Sequence, residues 1–147
     1  MVTRRVETGE QHVGEVPLEM FQGSRFKDKD YLDRALEIVQ DGIKALNVGK
    51  DEPVYICRGY ILSKAREVLR ATGYNVVHTK IQGRTQELAE SEYISSLVRL
   101  GVGDKEEVAG MRSFNAFLDW VHEDLEVRES FVKTGWKAWP RLRADRG

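Results

Sequence analysis

The 147-residue chain contains a single cysteine, Cys57, so it cannot form an internal disulfide. This excludes the disulfide-stapled class of small secreted domains. The sequence has no apolar run of 18 or more residues, so it predicts no membrane-spanning helix. The N-terminal segment MVTRRVETGEQ is charged and no apolar stretch follows it, which is unlike a signal peptide. From these absences we expect a cytoplasmic protein that does not enter a membrane.

Net charge is also nearly absent, because 23 basic residues oppose 24 acidic ones and leave −1. This balance excludes the uniformly basic surface of a chromatin protein, so any attraction to phosphate must come from a local patch. Hydrophobic residues make up 41% of the chain, which is enough to build a core in a chain of this length. The length itself predicts one domain.

Recognisable catalytic motifs are missing as well. Neither a P-loop nor a G-x-G-x-x-G motif occurs. Cys57 ends an apolar stretch, where packing is more usual than catalysis, and His78 has no matching ligand or carboxylate close by in the sequence. Asp119, His122 and Glu123 share one helical segment, but no second set of metal ligands accompanies them. We therefore expect a non-enzymatic protein with no catalytic residues, no metal site and no cofactor.

Hydrophobic periodicity predicts alternating strands and helices in the first two thirds of the chain. The predicted elements are a flexible arm over residues 1–15, a strand over Val16–Phe21, a helix over Asp30–Leu46, a strand over Pro53–Cys57, a helix over Tyr60–Thr72 and a strand over Asn75–Ile81. The first helix has the clearest signal, because its apolar residues recur every three or four positions and Gly49 can end it.

The last third of the chain is predicted to be helical. Asp104 followed by Glu107 is typical of a capping box, and Ser113 precedes an apolar helical face as an N-cap residue. The C-terminal segment then combines Trp136 and Trp139 with basic residues. We expect Trp136 to dock on the domain. For Trp139, docking and stacking on single-stranded bases both stay open.

A family resemblance enters at residues 54–69, VYICRGYILSKAREVL. Here a predicted strand ends in an Arg-Gly pair, and the following helix carries an Ile-x-x-Lys-Ala pattern. The residues concerned are Arg58, Gly59, Ile61, Lys64 and Ala65. This segment resembles the Alba superfamily, in which the next strand ends near an Ile-x-Gly-Thr-like stretch. This chain has IQGRT at residues 81–85, and the resemblance covers roughly residues 16–102.

The resemblance implies an α/β fold of the two-layer α+β kind. An Alba-like β-α-β-α-β-β domain would cover residues 16–102, with a helical C-terminal extension over 103–147 packed on the same domain. Residues 93–102, YISSLVRLGV, fit a strand and a helix equally well by pattern alone. The resemblance favours a last strand there, reached through a hairpin arm with Arg84, Thr85 and Gln86 near its tip. It also implies a homodimer that binds DNA or RNA with little sequence preference.

The chain departs from the family in its charge. Alba proteins are usually strongly basic, whereas this chain is slightly acidic. In the first loop, where the family commonly has adjacent lysines, Arg25 and Lys27 are separated by Phe26. Tyr60 stands where the family often has a second arginine. These departures weaken the expectation of tight duplex binding more than the expectation of the fold.

Basic charge is nevertheless concentrated in one window. From Cys57 to Arg84 there are six basic residues and one acidic residue, Glu67, which leaves +5 in a chain of −1. Such a window can gain affinity for phosphates by releasing counterions. Within it we expect Arg66 and Arg70 to form a solvated helix face. The predicted nucleic-acid-binding residues are Arg25, Lys27, Arg58, Gly59, Lys64 and Arg84.

The functional hypothesis is therefore a nucleic-acid-binding protein that contacts phosphates largely without reading sequence. Gly59 is included because a glycine permits an unusual turn or a close approach of backbone to ligand. Two alternatives stay open. One is a protein interaction module that uses the apolar faces of the helical tail. The other is a small nuclease-like enzyme with a metal ion held by carboxylates.

Overall fold

The structure is a computed structural model and describes residues 1–145. The chain has a mixed α/β fold and forms two compact units, each built from two separate stretches. The first unit comprises Met1–Val16 and Asp30–Glu92, and the second comprises Pro17–Lys29 and the chain from Tyr93 onward. The domain boundaries that the sequence predicts, after residue 15 and after residue 102, stay predictions.

Short strands and helices follow one another along the described residues. In chain order they are β1 (Val2–Arg4), β2 (Gln11–Val13), α1 (Arg25–Asp28), α2 (Asp30–Ala45), β3 (Pro53–Cys57), α3 (Ser63–Ala71), β4 (Asn75–Thr79), α4 (Arg84–Arg99), α5 (Lys105–Gly110), α6 (Phe114–Glu123), α7 (Leu125–Arg128) and α8 (Trp139–Ala144). None of the helices within residues 1–145 combines the length and the hydrophobicity of a membrane-spanning segment.

The centre of the first unit is the β3-α3-β4 segment packed on α2. β3 and β4 are parallel, with Val54 opposite Val76 and Cys57 opposite Thr79. One face of this strand pair packs against the helices, and the core there consists of Val39, Ile43, Ile56, Ala65 and Leu69. The helix predicted over Asp30–Leu46, the strand over Pro53–Cys57 and the strand starting at Asn75 are confirmed.

Residues 1–15, predicted to be a flexible arm, contain the antiparallel hairpin of β1 and β2. Arg5 ties this hairpin to the end of α2: its guanidinium donates to the carbonyl oxygen of Leu46 at 2.7 Å and pairs with Glu52 at 2.7 Å. A cation at a helix C-terminus satisfies carbonyl groups that have no partner within the helix. The pattern of polar residues alone gives no sign of this contact.

Two predicted strands are wrong. Residues Leu18–Phe21 form a 3₁₀ helix after Pro17, in place of the strand over Val16–Phe21. Residues 93–102 do not form the last strand of an Alba-like domain either, because α4 runs without a break from Arg84 to Arg99. The observed order in this region is therefore helix, strand, helix, strand, helix, and the β-α-β-α-β-β order is corrected at both ends.

The helices after Asp104 are confirmed, together with the residues that begin two of them. Asp104 accepts from the backbone N–H of Glu107 at 2.9 Å, and the Glu107 carboxylate accepts from the backbone N–H of Asp104 at 2.9 Å. Ser113 accepts from the N–H of Ala116 and begins α6. These two caps satisfy donors that the first helical turn leaves unpaired. The core of the second unit forms around Leu118, Val121 and Trp139.

Candidate functional site

The carboxyl ends of β3 and β4 bring two cationic side chains to one edge of the strand pair. Cys57 and Thr79 form the last aligned pair, and Arg58 and Lys80 are the next residues of their strands. Neighbouring strands lie about 4.8 Å apart, so these two residues leave the sheet close together. Both are exposed, and within residues 1–145 neither forms an ion pair. In open α/β sheets this is the edge at which ligands bind.

Arg66 holds the loop that follows β3. Arg66 belongs to the first unit and is buried, with only 9% of the residue exposed. One of its nitrogens, Nη1, donates to the carbonyl oxygen of Cys57 at 2.5 Å and to that of Gly59 at 3.0 Å. A guanidinium stays protonated at all relevant pH values, and within the described chain no carboxylate pairs with it. The loop bearing Arg58 is therefore fixed by a buried positive charge.

His78, an exposed residue of β4, is affected by the positive charges of three arginines. Its pKa is lowered from the usual 6.5, first by partial burial of the ring and then by the charges of Arg66, Arg58 and Arg70. Nearby cations disfavour the protonated imidazole. Three arginines from a loop and a helix therefore act on one side chain of the neighbouring strand. We call Arg58, Arg66, Arg70 and Lys80, which surround or follow His78, the basic cluster.

Arg70 extends the basic cluster by one helical turn beyond Arg66. Residues four apart on a helix lie on the same face. Arg70 is exposed and, within residues 1–145, forms no ion pair. The prediction that Arg66 and Arg70 both form a solvated helix face thus holds for Arg70 and is wrong for Arg66, which is buried.

Two of the predicted phosphate-binding residues are engaged by acidic neighbours. Lys64 forms an ion pair with Asp33 of α2. Arg84 lies 3.4 Å from Glu87, three residues further along the same helix. Arg84 is at the first turn of α4, so the hairpin arm expected to carry it is absent. To contact a phosphate, each of these side chains must exchange a carboxylate partner for it.

Gly59 has an ordinary backbone conformation. Its φ is −54° and its ψ is 143°, which any residue adopts, so of the two roles considered for Gly59 the unusual turn is wrong and the close approach to a ligand stays a prediction. A Cβ at this position would have Cys57 Sγ as its nearest neighbour, at 3.9 Å. Open space above the backbone remains as the property of Gly59 that suits a ligand.

Arg25 and Lys27 belong to α1, which is part of the second unit. The other predicted binding residues belong to the first unit. The structure therefore groups Arg58 with Arg66, Arg70 and Lys80 and leaves Arg25 and Lys27 outside this group. The excess of basic residues between Cys57 and Arg84 is the sequence feature that includes Arg66, Arg70 and Lys80. The parallel register of β3 and β4 and the packing of α3 bring these residues to one edge of the strand pair, which a charge count does not reveal.

A concave surface of about 380 Å³ lies elsewhere on the first unit, between the C-terminal ends of α2 and α3. Lys44, Asn47, Thr72 and Tyr74 are among its lining residues. It contains no member of the basic cluster. Among residues 1–145, no group of three or more histidine, cysteine or acidic side chains is placed to hold a metal ion.

No family model, characterised protein or solved structure matches this chain.

Proposed function

We propose that this protein is a non-enzymatic nucleic-acid-binding protein that holds phosphate groups at the basic cluster. The observation that carries the proposal is that the exposed Arg58 and Lys80 leave the carboxyl ends of two adjacent parallel strands, on an edge where Arg66 holds the loop after β3. A chain with a net charge of −1 can attract a polyanion only where positive charge is collected locally.

The ion-pair pattern supports phosphate as the ligand. Arg58, Arg70 and Lys80 are exposed, and the described chain offers none of them a carboxylate partner. A phosphate that approaches them therefore replaces only water and counterions. Released counterions drive such binding, and the contacts carry no sequence information. Binding at Lys64 or Arg84 would in contrast compete with Asp33 or Glu87.

The proposal predicts a salt dependence. Three exposed cations that each neutralise one phosphate give a slope of about −2 to −3 for log affinity against log salt. The test is a salt titration of the full chain with single-stranded RNA, single-stranded DNA and duplex DNA. We expect binding at low salt that weakens with this slope as salt rises.

A comparison with an arginine variant outside the basic cluster tests the location of the site. The double variant Arg58→Ala/Arg70→Ala should reduce the salt slope by about 2, because each lost phosphate contact removes about one unit. The control is Arg34→Ala, which removes an arginine of the same unit that is paired with Glu37 at 2.9 Å. We expect the control to bind like the unmodified chain. If the double variant binds with unchanged affinity and slope, the basic cluster is not the binding site.

We also propose that the protein is a homodimer, as its resemblance to Alba proteins implies. Sedimentation of the full chain tests the dimer, which would have twice the chain mass of 16.8 kDa. If the chain sediments as a monomer under conditions in which it binds nucleic acid, the dimer is contradicted and phosphate binding at the basic cluster is not.

A further inference from the structure

Two aromatic rings of the second unit form an exposed pair. Phe114 begins α6 and is 57% exposed, and Trp136, in the segment before α8, is 41% exposed. Their ring centroids are 6.2 Å apart and their planes meet at 88°. We infer that this stacking pair, Phe114 and Trp136, binds unpaired nucleobases, so that single-stranded nucleic acid is the preferred ligand of the protein. The inference rests on the proposed function and specifies its substrate class.

The geometry of the stacking pair leaves an aromatic face available. In an edge-to-face contact one ring points its edge at the other. Whichever ring presents its edge keeps both of its own faces clear of its partner. A nucleobase can stack on such a face whatever its identity, because every base has a flat π-surface, and each stacked base contributes about 1–3 kcal/mol.

The other two tryptophans are used inside the unit. Trp139 is only 5% exposed, and its indole N–H donates to Glu129 at 2.7 Å. Trp120 packs edge-on against Phe131, and the guanidinium of Arg128 lies over its ring at 4.5 Å. Trp136 is thus the most exposed of the three indoles, and it docks on the unit through its edge-to-face contact with Phe114.

The charges next to the stacking pair select a polyanion as its occupant. Neither ring has an acidic residue within four positions along the chain, whereas Arg112, Lys133 and Lys137 fall within that distance. Lys137 directly follows Trp136, is exposed and, in the described part of the chain, has no ion-pair partner. A base stacked on the Trp136 ring brings its own phosphates close to Lys137, whereas an apolar protein surface would leave that cation unpaired.

The backbone that carries Trp136 is held in place before any ligand binds. The N–H of Gly135 donates to the carbonyl oxygen of Phe21 at 3.2 Å, and the Thr134 hydroxyl oxygen accepts from the N–H of Gly23 at 3.0 Å. A Cβ at Gly135 would lie 2.8 Å from the Gly23 carbonyl oxygen, so this close approach requires a glycine. A fixed ring loses little conformational freedom on binding, which favours affinity.

The test uses tryptophan fluorescence of the full chain. A short thymidine oligonucleotide is compared with an abasic strand of the same length, which has the same charge and no bases. We expect the thymidine strand to quench the emission and to bind more tightly, and the abasic strand to bind without quenching. This comparison needs no variant and therefore does not depend on how a substitution affects folding.

Variants then assign the effect to the stacking pair. Trp136→Ala should abolish the quenching and weaken binding of the thymidine strand roughly 10-fold, within the range expected for one stacked base. Trp136→Phe should restore part of the affinity. Val127→Ala is the matched control, because Val127 is also exposed (61%) on the second unit and lies outside the pair. We expect this control to bind like the unmodified chain.

The possible results separate this inference from the proposed function. Equal binding of the thymidine and abasic strands, or unchanged affinity in Trp136→Ala, overturns the stacking site. If Arg58→Ala/Arg70→Ala still weakens binding in that case, the proposed function stands. Failure of every nucleic acid to bind at low salt overturns both.

Discussion

The guanidinium of Arg66, on α3, donates to the carbonyl oxygen of Gly59 at 3.0 Å and so ties the helix to the loop that follows β3. Replacing Arg66 with methionine preserves much of the side-chain volume but leaves the carbonyls of Cys57 and Gly59 without this donor. We expect the free energy of unfolding to fall by about 1–3 kcal/mol. Urea denaturation of the full chain measures this change. Arg70→Met, one turn further on the same helix and exposed, should stay within about 0.5 kcal/mol. Equal losses in both variants would contradict the structural role of Arg66.

A second prediction compares two glycines. Gly59 has φ −54° and an open position for a Cβ, so Gly59→Ala should leave stability unchanged or raise it by about 0.4–1 kcal/mol. Gly83 has φ +66°, so Gly83→Ala should destabilise the protein by about 1 kcal/mol, since an L-residue is strained there. Thermal unfolding of the two variants checks the difference. A Gly59→Ala variant as unstable as Gly83→Ala would show that the loop conformation differs from the one described.

A third prediction concerns the pH dependence of His78. Because its folded pKa is below the ordinary 6.5, the unfolded chain binds more protons in that range, and stability should fall as pH drops through about 6.5. Arg58→Ala and Arg70→Ala should each raise the pKa of His78, since each removes a nearby positive charge. An NMR titration of the imidazole, assigned with His78→Gln, measures the pKa. An unaltered pKa in both arginine variants would place these charges too far away to form a cluster.

The same histidine links proton uptake to ligand binding. A phosphate bound at the basic cluster offsets the arginine charges and raises the pKa of His78, so binding takes up a proton. Affinity for nucleic acid should therefore increase as pH falls from about 8 to 6. His78→Gln should remove most of this pH dependence while leaving the salt slope intact. Binding curves at several pH values and constant salt provide the measurement.

Within the second unit, Glu129 holds α8 through two residues of that helix, Trp139 and Arg143. Its carboxylate accepts from the Trp139 indole at 2.7 Å and from Arg143 at 2.9 Å, and these bonds, that of Trp139 first, lower its pKa. Since the folded pKa is lowered, this stabilisation is present above the ordinary pKa and is lost as pH falls through the folded value. Glu129→Ala should cost about 1–3 kcal/mol at neutral pH, because a buried indole N–H loses its acceptor. Glu129→Gln, which keeps an acceptor oxygen, should cost less.

The sequence correctly predicted α2, β3 and β4, which pack together in the core of the first unit. The apolar repeat of α2 and the short β-branched runs of β3 and β4 are strong because one face of each is buried. The Val16–Phe21 prediction was wrong because its alternation is short and Pro17 starts a 3₁₀ turn. Residues 93–102 fit a strand and a helix equally well, and the helix formers Gln86, Leu88 and Ala89, which precede them in α4, favour the continuous helix.

The candidate site was predictable only in part. The charge excess between Cys57 and Arg84 indicated where to look. The burial of Arg66 and the ion pair of Lys64 with Asp33 depend on contacts between separate elements, which a charge count does not contain. The same reason explains why docking and stacking both stay open for Trp139 in the sequence: Glu129 supplies the partner that buries this indole, and no spacing in the sequence indicates that contact.

The second unit depends on a contact between distant parts of the chain. Gln22 donates to the carbonyl oxygen of Val132 at 3.4 Å, across 110 residues of sequence. A ribosome makes the chain from its N-terminus, so Pro17–Lys29 is synthesised long before the segment it binds. The first unit ends at Glu92 and can therefore fold earlier. Pro17–Lys29 then stays a loop until the rest of the second unit has been synthesised. We therefore expect the two units to fold at different times during synthesis. A nascent chain that stalls before Ser130 should contain a folded first unit and an incomplete, unfolded second unit.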